Sequence, residues 1–362
     1  MRVSILTSGI GLGIYIPSLL IQRELASRGI AAEVEVLEGY YTEDHQRRHL
    51  AHRQAYHQNF DLAVMAHRMA RSVESSLDPG AVDALLRGWQ AARRTHFIVW
   101  SGFWLPILER YRRDAGAPLH IDCCRIDAVV SASFRVHAGL APDATEIWLW
   151  NAQDRRTVFE IPVTHQPPLA FSDRDHRLVV HGGGWGLGTY RASAAELAAT
   201  GWACDVVVHA RDEAAAMRGD DRYFMVDPDW RTWHRGPEGH TFPPLAAIDA
   251  AIGAAIDAAP ARANDHALYE LIRRGKAIVS KPGGGTLIDS LSAATPVVLL
   301  EPYGDAEASN GEVWQHLGFG IPYAVWRASG YDEAVLQQLH DNLVRRVRGP
   351  AYVADYVARS SP

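Results

Sequence analysis

Three consecutive glycines followed by a threonine carry the strongest chemical signal in the sequence. Gly283–Gly285 follow the strand-like run 277–280 after Lys281 and Pro282, and Thr286 opens a helical stretch. Glycine lets the backbone approach an anion closely, and the free N–H groups and dipole of a helix N-terminus favour phosphate there. The alternative is a tight strand-to-helix turn that binds nothing. We expect a phosphate site.

Charged side chains flank this loop. Lys281, one of two lysines among the 36 basic residues, lies inside the loop and adds positive charge. Asp289 lies one turn into the helix, where a carboxylate is placed to accept hydrogen bonds from ribose hydroxyls. Farther on, Asp305, Glu307 and Asn310 follow a second buried run, at a strand end where open α/β sheets bind ligands. We expect Asp305 or Glu307 to bind sugar hydroxyls and Asn310 to cap the next helix; a solvated loop is the alternative.

Two more glycine-rich loops each follow a strand-like run. Gly182–Gly188 contains Trp185, the tryptophan best placed to stack on a ligand. The loop Gly9–Gly13 offers a dinucleotide-binding alternative, with Glu38 as the nearest acid for a ribose. Its Gly-x-Gly-x-Gly spacing differs from the Gly-x-Gly-x-x-Gly of that fingerprint, which argues against a dinucleotide site.

Histidines cluster in one polar stretch. His45 with His49, and His49 with His52, fall on one helical face, a spacing that can bind a metal ion. His57 and His67 complete the cluster, but no cysteine or acidic ligand completes a convincing ligand set. We expect this stretch to form a polar helix beside a ligand-binding cleft, with a solvent-exposed helix face as the alternative. We expect no metal site.

Taken together, these segments resemble a known family. The runs 280–286, 293–300 and 302–310 resemble, in that order, the donor-binding region of GT-B nucleotide-sugar glycosyltransferases, a superfamily that includes the MurG-like enzymes and the UDP-glycosyltransferases. The resemblance is specific over about 277–320 and extends in outline over the chain. It implies an α/β fold of the GT-B class, with two Rossmann-like domains whose parallel sheets face each other across a cleft. The predicted donor-binding residues are Gly183, Gly184, Trp185, Lys281, Gly283, Gly284, Gly285, Thr286, Asp289, Asp305 and Glu307.

The chain departs from the family's pattern at one position. Its N-terminal loop matches the family's first glycine-rich loop, which usually ends in Gly-His-x-x-Pro, but Ile14 stands where many relatives have a histidine that acts as catalytic base. Either the acceptor needs no base from this position, or the base comes from elsewhere, with Tyr15, Asp122 and His137 as candidates. The predicted acceptor-binding residues are Gly11, Gly13, Ile14 and Tyr15.

Two α/β halves must position these residues. Apolar β-branched runs alternate with helical stretches, which predicts parallel sheets covered on both faces. Strands are predicted at 2–8, 31–37, 96–101, 119–123 and 146–150, then at 178–181, 205–209, 223–226, 276–280 and 296–300. Helices are predicted at 16–28 and, as one long polar helix, at 43–75.

A linker separates the two halves. The segment 161–170 has three prolines in ten residues and no periodicity, which predicts a hinge. We therefore predict an acceptor-binding domain at 1–165, a nucleotide-sugar-binding domain at 172–335, and a C-terminal helix at 336–362 that crosses back to the first domain.

The composition narrows the class of protein. The chain of 362 residues is 48% hydrophobic and 22% charged with a net charge of −6, which argues against disorder and against a nucleic-acid binder. No apolar run approaches the roughly 18 residues of a membrane span. Three cysteines give no disulfide framework, and the first residues run directly into a strand rather than a signal peptide. We expect a cytoplasmic protein.

These observations predict an inverting, metal-independent glycosyltransferase that moves a sugar from a UDP-sugar to a small acceptor, with no resident cofactor. A nucleobase acceptor, as in cytosylglucuronate synthases of antibiotic biosynthesis, would explain the lost histidine, because a ring nitrogen has its own lone pair. The alternatives are a GT-B nucleotide-sugar epimerase and a non-catalytic nucleotide-sugar-binding protein. The expected partners are donor and acceptor, with a homodimer left open.

Overall fold

The structure, a computed structural model, describes residues 1–68, 72–216, 220–248 and 266–360. Two β-sheets organise the chain. The first sheet runs in the order β2-β1-β3-β4-β5 with parallel neighbours, where the strands are Arg2–Thr7 (β1), Ala31–Val36 (β2), His96–Val99 (β3), His120–Arg125 (β4) and Thr145–Trp148 (β5). Trp150–Asn151 (β6) and Arg156–Thr157 (β7) form a short antiparallel pair.

The second sheet runs in the order β11-β10-β9-β8-β12-β13-β14. Its strands are Arg177–His181 (β8), Ala203–Val208 (β9), Arg222–Val226 (β10), Leu245–Ile248 (β11), Ala277–Ser280 (β12), Val297–Leu299 (β13) and Gly320–Pro322 (β14). β10 and β11 pair antiparallel, and the other neighbours pair parallel. We call residues 1–160, around the first sheet, the first half, and residues 171–345, around the second sheet, the second half.

Helices cover both sheets. In the first half they are Leu12–Ser27 (α1), Glu43–Gln58 (α2), Phe60–Arg68 (α3), Pro79–Ala91 (α4), Leu105–Asp114 (α5) and Ala132–Val136 (α6). The rest of the chain adds Tyr190–Leu197 (α7), Ala267–Arg274 (α8), Gly284–Ala293 (α9), Asp305–His316 (α10), Tyr323–Ala328 (α11), Glu333–Arg345 (α12) and Tyr352–Ser360 (α13).

The middle of β8, the central strand of the second sheet, is apolar because both of its faces are buried. Leu178, Val179 and Val180 of β8 are all 0% exposed, although their side chains alternate between the two faces of the sheet. One core cluster continues from the first half into the second, since it joins Val3 and Ile5 of β1 to Ile278 of β12. The α/β architecture of two facing parallel sheets is therefore as predicted.

The long polar helix predicted at 43–75 is wrong as a single element. It divides into α2 and α3 at Asn59, whose backbone is extended (φ −140°, ψ 99°) and whose side chain accepts a hydrogen bond from the Leu62 N–H at 3.0 Å. The amide side chain thus caps α3, as asparagine commonly does at a helix start. Residues 69–71 of the predicted helix lie outside the described residues, and Glu74–Ser76 form a 3-10 turn.

The C-terminal region contains two helices where one was predicted. α12 packs on the second half through Leu336, and His340 Nδ1 bonds the Ala294 carbonyl at 2.7 Å. The chain then returns, and α13 contacts the first half, where the Tyr352 hydroxyl donates to Asp122 at 2.9 Å. The predicted boundary at 335/336 lies inside α12.

Candidate active site

A cavity of about 570 Å³ lies between the two halves. Its walls come from the carboxyl ends of strands in both sheets, which is where open α/β sheets bind ligands. The residues that line it next to strand ends include Ser8 (β1), Trp100 (β3), Arg125 (β4), Gly182 (β8), His209 (β9) and Lys281 (β12).

The predicted phosphate loop lines this cavity. Gly283–Thr286 lie on its wall, with Gly283 as the N-cap of α9. The first N–H groups of a helix have no carbonyl partner within the helix, so this end offers donors and a positive dipole to an anion. The arrangement can hold a phosphate group.

Two of the loop's glycines also let the halves approach each other. A Cβ atom built on Gly284 would lie 2.3 Å from Ile126 Cγ1, and one built on Gly285 would lie 3.1 Å from the Cα of Gly13. Real Cβ atoms do not tolerate the first distance, so a side chain at Gly284 would push the halves apart.

The second glycine loop, 182–188, approaches the cavity from the neighbouring strand. Gly183, Gly186 and Gly188 have φ values of +73°, +62° and +94°, a backbone region that strongly favours glycine. Gly183, Gly184 and Trp185, which are predicted to bind the donor, line the cavity. The loop therefore folds back sharply at the cavity wall.

Helix α2 of the first half covers this loop. The Trp185 ring stacks on Tyr56, with centroids 5.8 Å apart, and meets His49 edge-on at 5.6 Å. His57 Nδ1 lies 2.8 Å from the Gly186 carbonyl oxygen, while its Nε2 pairs with Glu213. This hydrogen bond to Glu213 raises the pKa of His57. The ring partners of Trp185 are thus protein side chains, and its stacking on a ligand stays a prediction.

These contacts account for two histidines of the cluster. His49 and His57 bind the second half, and burial lowers the pKa of His49 to about 4. Among the residues described, no group of three or more His, Cys, Asp or Glu side chains is arranged to hold a metal ion. The side chain of His67 lies outside the described part.

Lys281 and Glu307 form a buried ion pair on the cavity wall. The Nζ atom of Lys281 lies 3.0 Å from Glu307 Oε1, and the two side chains are 7% and 16% exposed. The other carboxylate oxygen of Glu307 accepts the Tyr303 N–H at 2.6 Å. The pair fixes both charges beside the phosphate loop.

Asp305 does not join them. It is exposed at the first position of α10 and does not line the cavity, whereas Glu307, two residues later, does. The structure therefore does not bring Asp305 to the cavity as predicted, because the helix start turns this side chain toward solvent.

Asn310 also differs from its prediction. It lies inside α10 and is 0% exposed rather than capping the next helix. Its Oδ1 accepts from the Ala128 N–H at 2.7 Å and from Trp150 Nε1 at 3.0 Å, and its Nδ2 donates to Asp127 at 2.9 Å and to the Pro282 carbonyl at 3.0 Å. This one amide joins the two halves beside the cavity.

Asp289 faces the cavity next to a histidine. Its Oδ1 lies 3.2 Å from Nε2 of His266, and the two side chains are 7% and 5% exposed. His266 stacks on Phe242, with centroids 5.6 Å apart. A carboxylate and an imidazole side by side can bind the two hydroxyls of a ribose.

The three predicted base candidates lie away from the cavity wall. Tyr15 is 0% exposed and donates to the Thr241 carbonyl at 2.8 Å, and its burial raises the pKa of the phenol. Asp122 is held by Tyr352 at 2.9 Å and by Arg359 at 2.7 Å. His137 packs edge-on against Phe103, and burial lowers its pKa. None of the three lines the cavity, so the structure does not bring any of them to the site as a base, nor Tyr15 as an acceptor contact.

Sequence reasoning missed Asp127, the carboxylate that does line the cavity on the first-half side. It follows β4 by two residues and accepts the Asn310 amide N–H at 2.9 Å. Burial raises the pKa of Asp127 to about 6. A carboxylate with a pKa near neutrality is suited to accept a proton. The sequence feature that could have indicated Asp127 is its position just after a buried strand.

The first-half wall is otherwise mainly apolar. The predicted acceptor residues Gly11, Gly13 and Ile14 line it, and so do the aromatic rings of Trp100, Phe103 and Phe134. Arg125 is the cation there. Its guanidinium forms two bonds to Glu146 at 2.6 and 2.5 Å, and lies 3.5 Å from the centre of the Phe134 ring. Its NH1 atom is buried and has no hydrogen-bond partner among the described residues.

The dinucleotide alternative fails at Glu38. This carboxylate is 0% exposed and accepts the Ser8 hydroxyl at 2.5 Å and the Gly9 N–H at 2.6 Å. Both oxygens bind the loop itself, and the side chain does not line the cavity. Glu38 therefore fixes the N-terminal loop and is not placed to bind a ribose.

Comparison with known proteins identifies the fold. MurG of Acinetobacter baumannii superposes with a TM-score of 0.52 at 11% identity over 99% of this chain and 98% of its own. The spinosyn rhamnosyltransferase SpnG, complexed with thymidine diphosphate, gives 0.53 at 16% identity over 99% of both chains. The glycosyltransferase SnogD from Streptomyces nogalater gives 0.50 at 15% identity over 100% of this chain and 99% of its own.

No protein-family model matches the sequence, and no curated protein matches it. The likeness to the solved structures extends over nearly the full length of each chain, so the chain has their fold, the GT-B fold. The resemblance in fold drawn from the glycine and threonine motifs is confirmed. In the described part of the chain, no helix is long and apolar enough to cross a bilayer.

Proposed function

We propose that this chain is an inverting glycosyltransferase that transfers a sugar from a UDP-sugar to a small acceptor. One observation carries the proposal: a single cavity joins the phosphate-binding end of α9 on one wall to the Asp127 carboxylate on the other. A donor held by the second half then presents its anomeric carbon toward a base in the first half. Fold neighbours that act as glycosyltransferases support the same activity.

The second half binds the donor. The diphosphate lies at Gly283–Thr286 and the loop 182–188, and the ribose hydroxyls bind Asp289 and His266. Lys281 neutralises part of the diphosphate charge, while Glu307 accepts a sugar hydroxyl. Helix dipole, N–H donors and lysine stabilise the leaving diphosphate without a divalent ion.

Asp127 acts as the general base. It takes the proton from the attacking N–H or O–H of the acceptor as the nucleophile's electron pair forms the new bond to the anomeric carbon. The bond from that carbon to the diphosphate oxygen breaks, and the diphosphate leaves with its electron pair. Attack from the face opposite the leaving group inverts the configuration. Asp127 then releases its proton to solvent.

The acceptor is a flat heterocycle with a ring N–H beside a carbonyl. The rings of Trp100, Phe103 and Phe134 offer apolar walls, Asp127 accepts the N–H, and the unpartnered NH1 of Arg125 donates to the carbonyl. Cytosine has this edge. UDP-glucuronate is the proposed donor by the resemblance to cytosylglucuronate synthases, which places the chain in bacterial secondary metabolism. A cytoplasmic location and a homodimer stay predictions.

The test incubates the purified protein with a panel of UDP- and thymidine-diphosphate sugars, with and without cytosine and other heterocycles. Release of free nucleoside diphosphate only when an acceptor is present, with a glycosylated product by mass spectrometry, supports a transferase. Interconversion of sugar epimers without an acceptor would identify an epimerase. Nucleotide-sugar binding with no turnover under any condition would identify a non-catalytic binding protein.

A further inference from the structure

We infer that His181 is a phosphate-binding residue, whose Nε2–H donates a hydrogen bond to the diphosphate of the donor. This inference rests on the proposed function and deepens it. His181 belongs to neither glycine loop and was not among the predicted site residues.

His181 lies between the two loops that flank the phosphate site. It is the last residue of β8, the strand that pairs with β12, so it stands beside the strand that leads into Lys281 and Gly283. The loop 182–188 begins immediately after it. Its side chain lines the cavity. His181 is therefore placed where a phosphate group bound by both loops would contact its side chain.

The hydrogen bonds of the ring fix which nitrogen carries the proton. Nδ1 accepts the Gly183 N–H at 3.1 Å, so Nδ1 is unprotonated and the proton of the neutral ring is on Nε2. The Ser280 hydroxyl also lies 3.3 Å from Nδ1. The two neighbours therefore hold the imidazole in the tautomer whose free end is a donor.

That donor has no partner. Nε2 is buried and makes no hydrogen bond among the described residues, and the side chain as a whole is 4% exposed. A buried polar group without a partner destabilises the protein, so a ligand that supplies an acceptor is expected to bind there.

His181 presents an uncharged donor beside Lys281. Burial, together with the charge of Lys281, lowers the pKa of His181 to about 3. The imidazole is therefore neutral at physiological pH and does not repel the lysine. A diphosphate oxygen can accept from His181 Nε2 while it binds the Lys281 ammonium group and the N–H groups of α9.

The experiment measures the affinities of UDP, thymidine diphosphate and the parent nucleosides by isothermal titration calorimetry on the full-length protein. His181→Asn is the main variant, because an asparagine oxygen occupies the place of Nδ1 and keeps the Gly183 N–H bonded, while the Nε2 donor is lost. His181→Gln is the complement, since its amide nitrogen reaches the place of Nε2. His176→Asn, at an exposed histidine (57%) that pairs with Glu333, is the matched control.

We expect His181→Asn to weaken diphosphate binding by about tenfold or more, as for a hydrogen bond to a charged group, with nucleoside binding unchanged. His181→Gln should bind the diphosphate more tightly than His181→Asn, and His176→Asn should bind like the wild type.

Wild-type affinity for the diphosphate in His181→Asn would overturn the inference and leave the proposed function standing. Equal losses for nucleoside and diphosphate would also overturn it, since they would place His181 in the general fold of the loop. No binding of either nucleoside diphosphate to the wild-type protein would overturn the proposed function together with the inference.

Discussion

The carboxylate of Asp127, in the first half, accepts a 2.9 Å hydrogen bond from the side-chain amide of Asn310, in the second half. The same amide nitrogen bonds the Pro282 carbonyl at 3.0 Å, next to the phosphate loop. The proposed base is therefore positioned by the half of the molecule that holds the donor. The side chain of Asp127 is held in this orientation when the two halves are in contact.

Replacement of the proposed base should remove activity and leave donor binding intact. Asp127→Asn keeps the size and the contact with Asn310 but cannot accept the proton, so kcat/KM should fall by about 10²-fold or more. Calorimetry should show an unchanged affinity for UDP. Asp122→Asn is the control: it loses the Arg359 pairing, so it should lower Tm by roughly 2–4 °C while kcat changes little. Loss of kcat in Asp122→Asn with full activity in Asp127→Asn would reverse the assignment.

The rate should depend on pH through the same carboxylate. The pKa of Asp127 is raised to about 6, and a general base works only when it is deprotonated. Below pH 6 the carboxyl is protonated, so log kcat/KM should rise by about one per pH unit and level off above about pH 7. A profile from pH 5 to 8, with protein integrity checked by circular dichroism, measures this. A flat profile would contradict the role of Asp127.

A side chain at Gly284 should prevent the halves from closing on the donor. Gly284→Val places a Cβ 2.3 Å from Ile126 Cγ1 and 2.9 Å from the Ile126 carbonyl oxygen, so UDP-sugar turnover should be abolished. Gly88→Val, in α4 and away from the cavity, is the matched control, because a Cβ there would meet no neighbouring atom within 4 Å. We expect Gly88→Val to keep activity within a few fold. Normal turnover in Gly284→Val would show that this contact is dispensable.

Donor-sugar recognition should depend on Glu307 and not on Asp305. Glu307 lines the cavity and pairs with Lys281 at 3.0 Å, whereas Asp305 is exposed. Glu307→Gln should therefore lower kcat/KM by on the order of tenfold, at about 1.4 kcal/mol per decade. Asp305→Asn should change it less than twofold. The opposite ranking in steady-state kinetics would place the sugar nearer the start of α10.

Chelation should leave activity unchanged. The N-terminus of α9 and Lys281 supply positive charge to the leaving diphosphate, so no divalent ion is needed in the proposed mechanism. Activity measured in excess EDTA should equal that in buffer alone. Lost activity that returns on adding Mg²⁺ would show that an ion carries this role.

Local patterns in the sequence predict the fold and the donor wall because their causes are local. Apolar runs between helical stretches predict two parallel sheets, and a strand followed by glycines places the phosphate loop at a strand end. The loop 182–188 is predicted for the same reason, because its glycines also follow a strand-like run. Residues close in sequence decide these features.

The proposed base was missed because distant residues decide which carboxylate faces the cavity. Asp122 is the third residue of β4 and Asp127 follows that strand by two residues, and local patterns do not show which of the two reaches the cavity. Helix α13 packs on the first half, where Tyr352 and Arg359 form hydrogen bonds to the carboxylate of Asp122. Asp127 instead lies at the cavity and is bonded to Asn310. Likewise, the partner of Trp185 is Tyr56, on a helix more than a hundred residues away.

Helix α2 makes the conformation of the second glycine loop depend on both halves of the chain. Its residues are at most partly buried, yet Tyr56, His49 and His57 contact the loop 182–188 of the second half. His57 also pairs with Glu213 of the second half, and these two side chains are 11% and 6% exposed. A substitution on α2 therefore alters the surroundings of a loop that belongs to the opposite half.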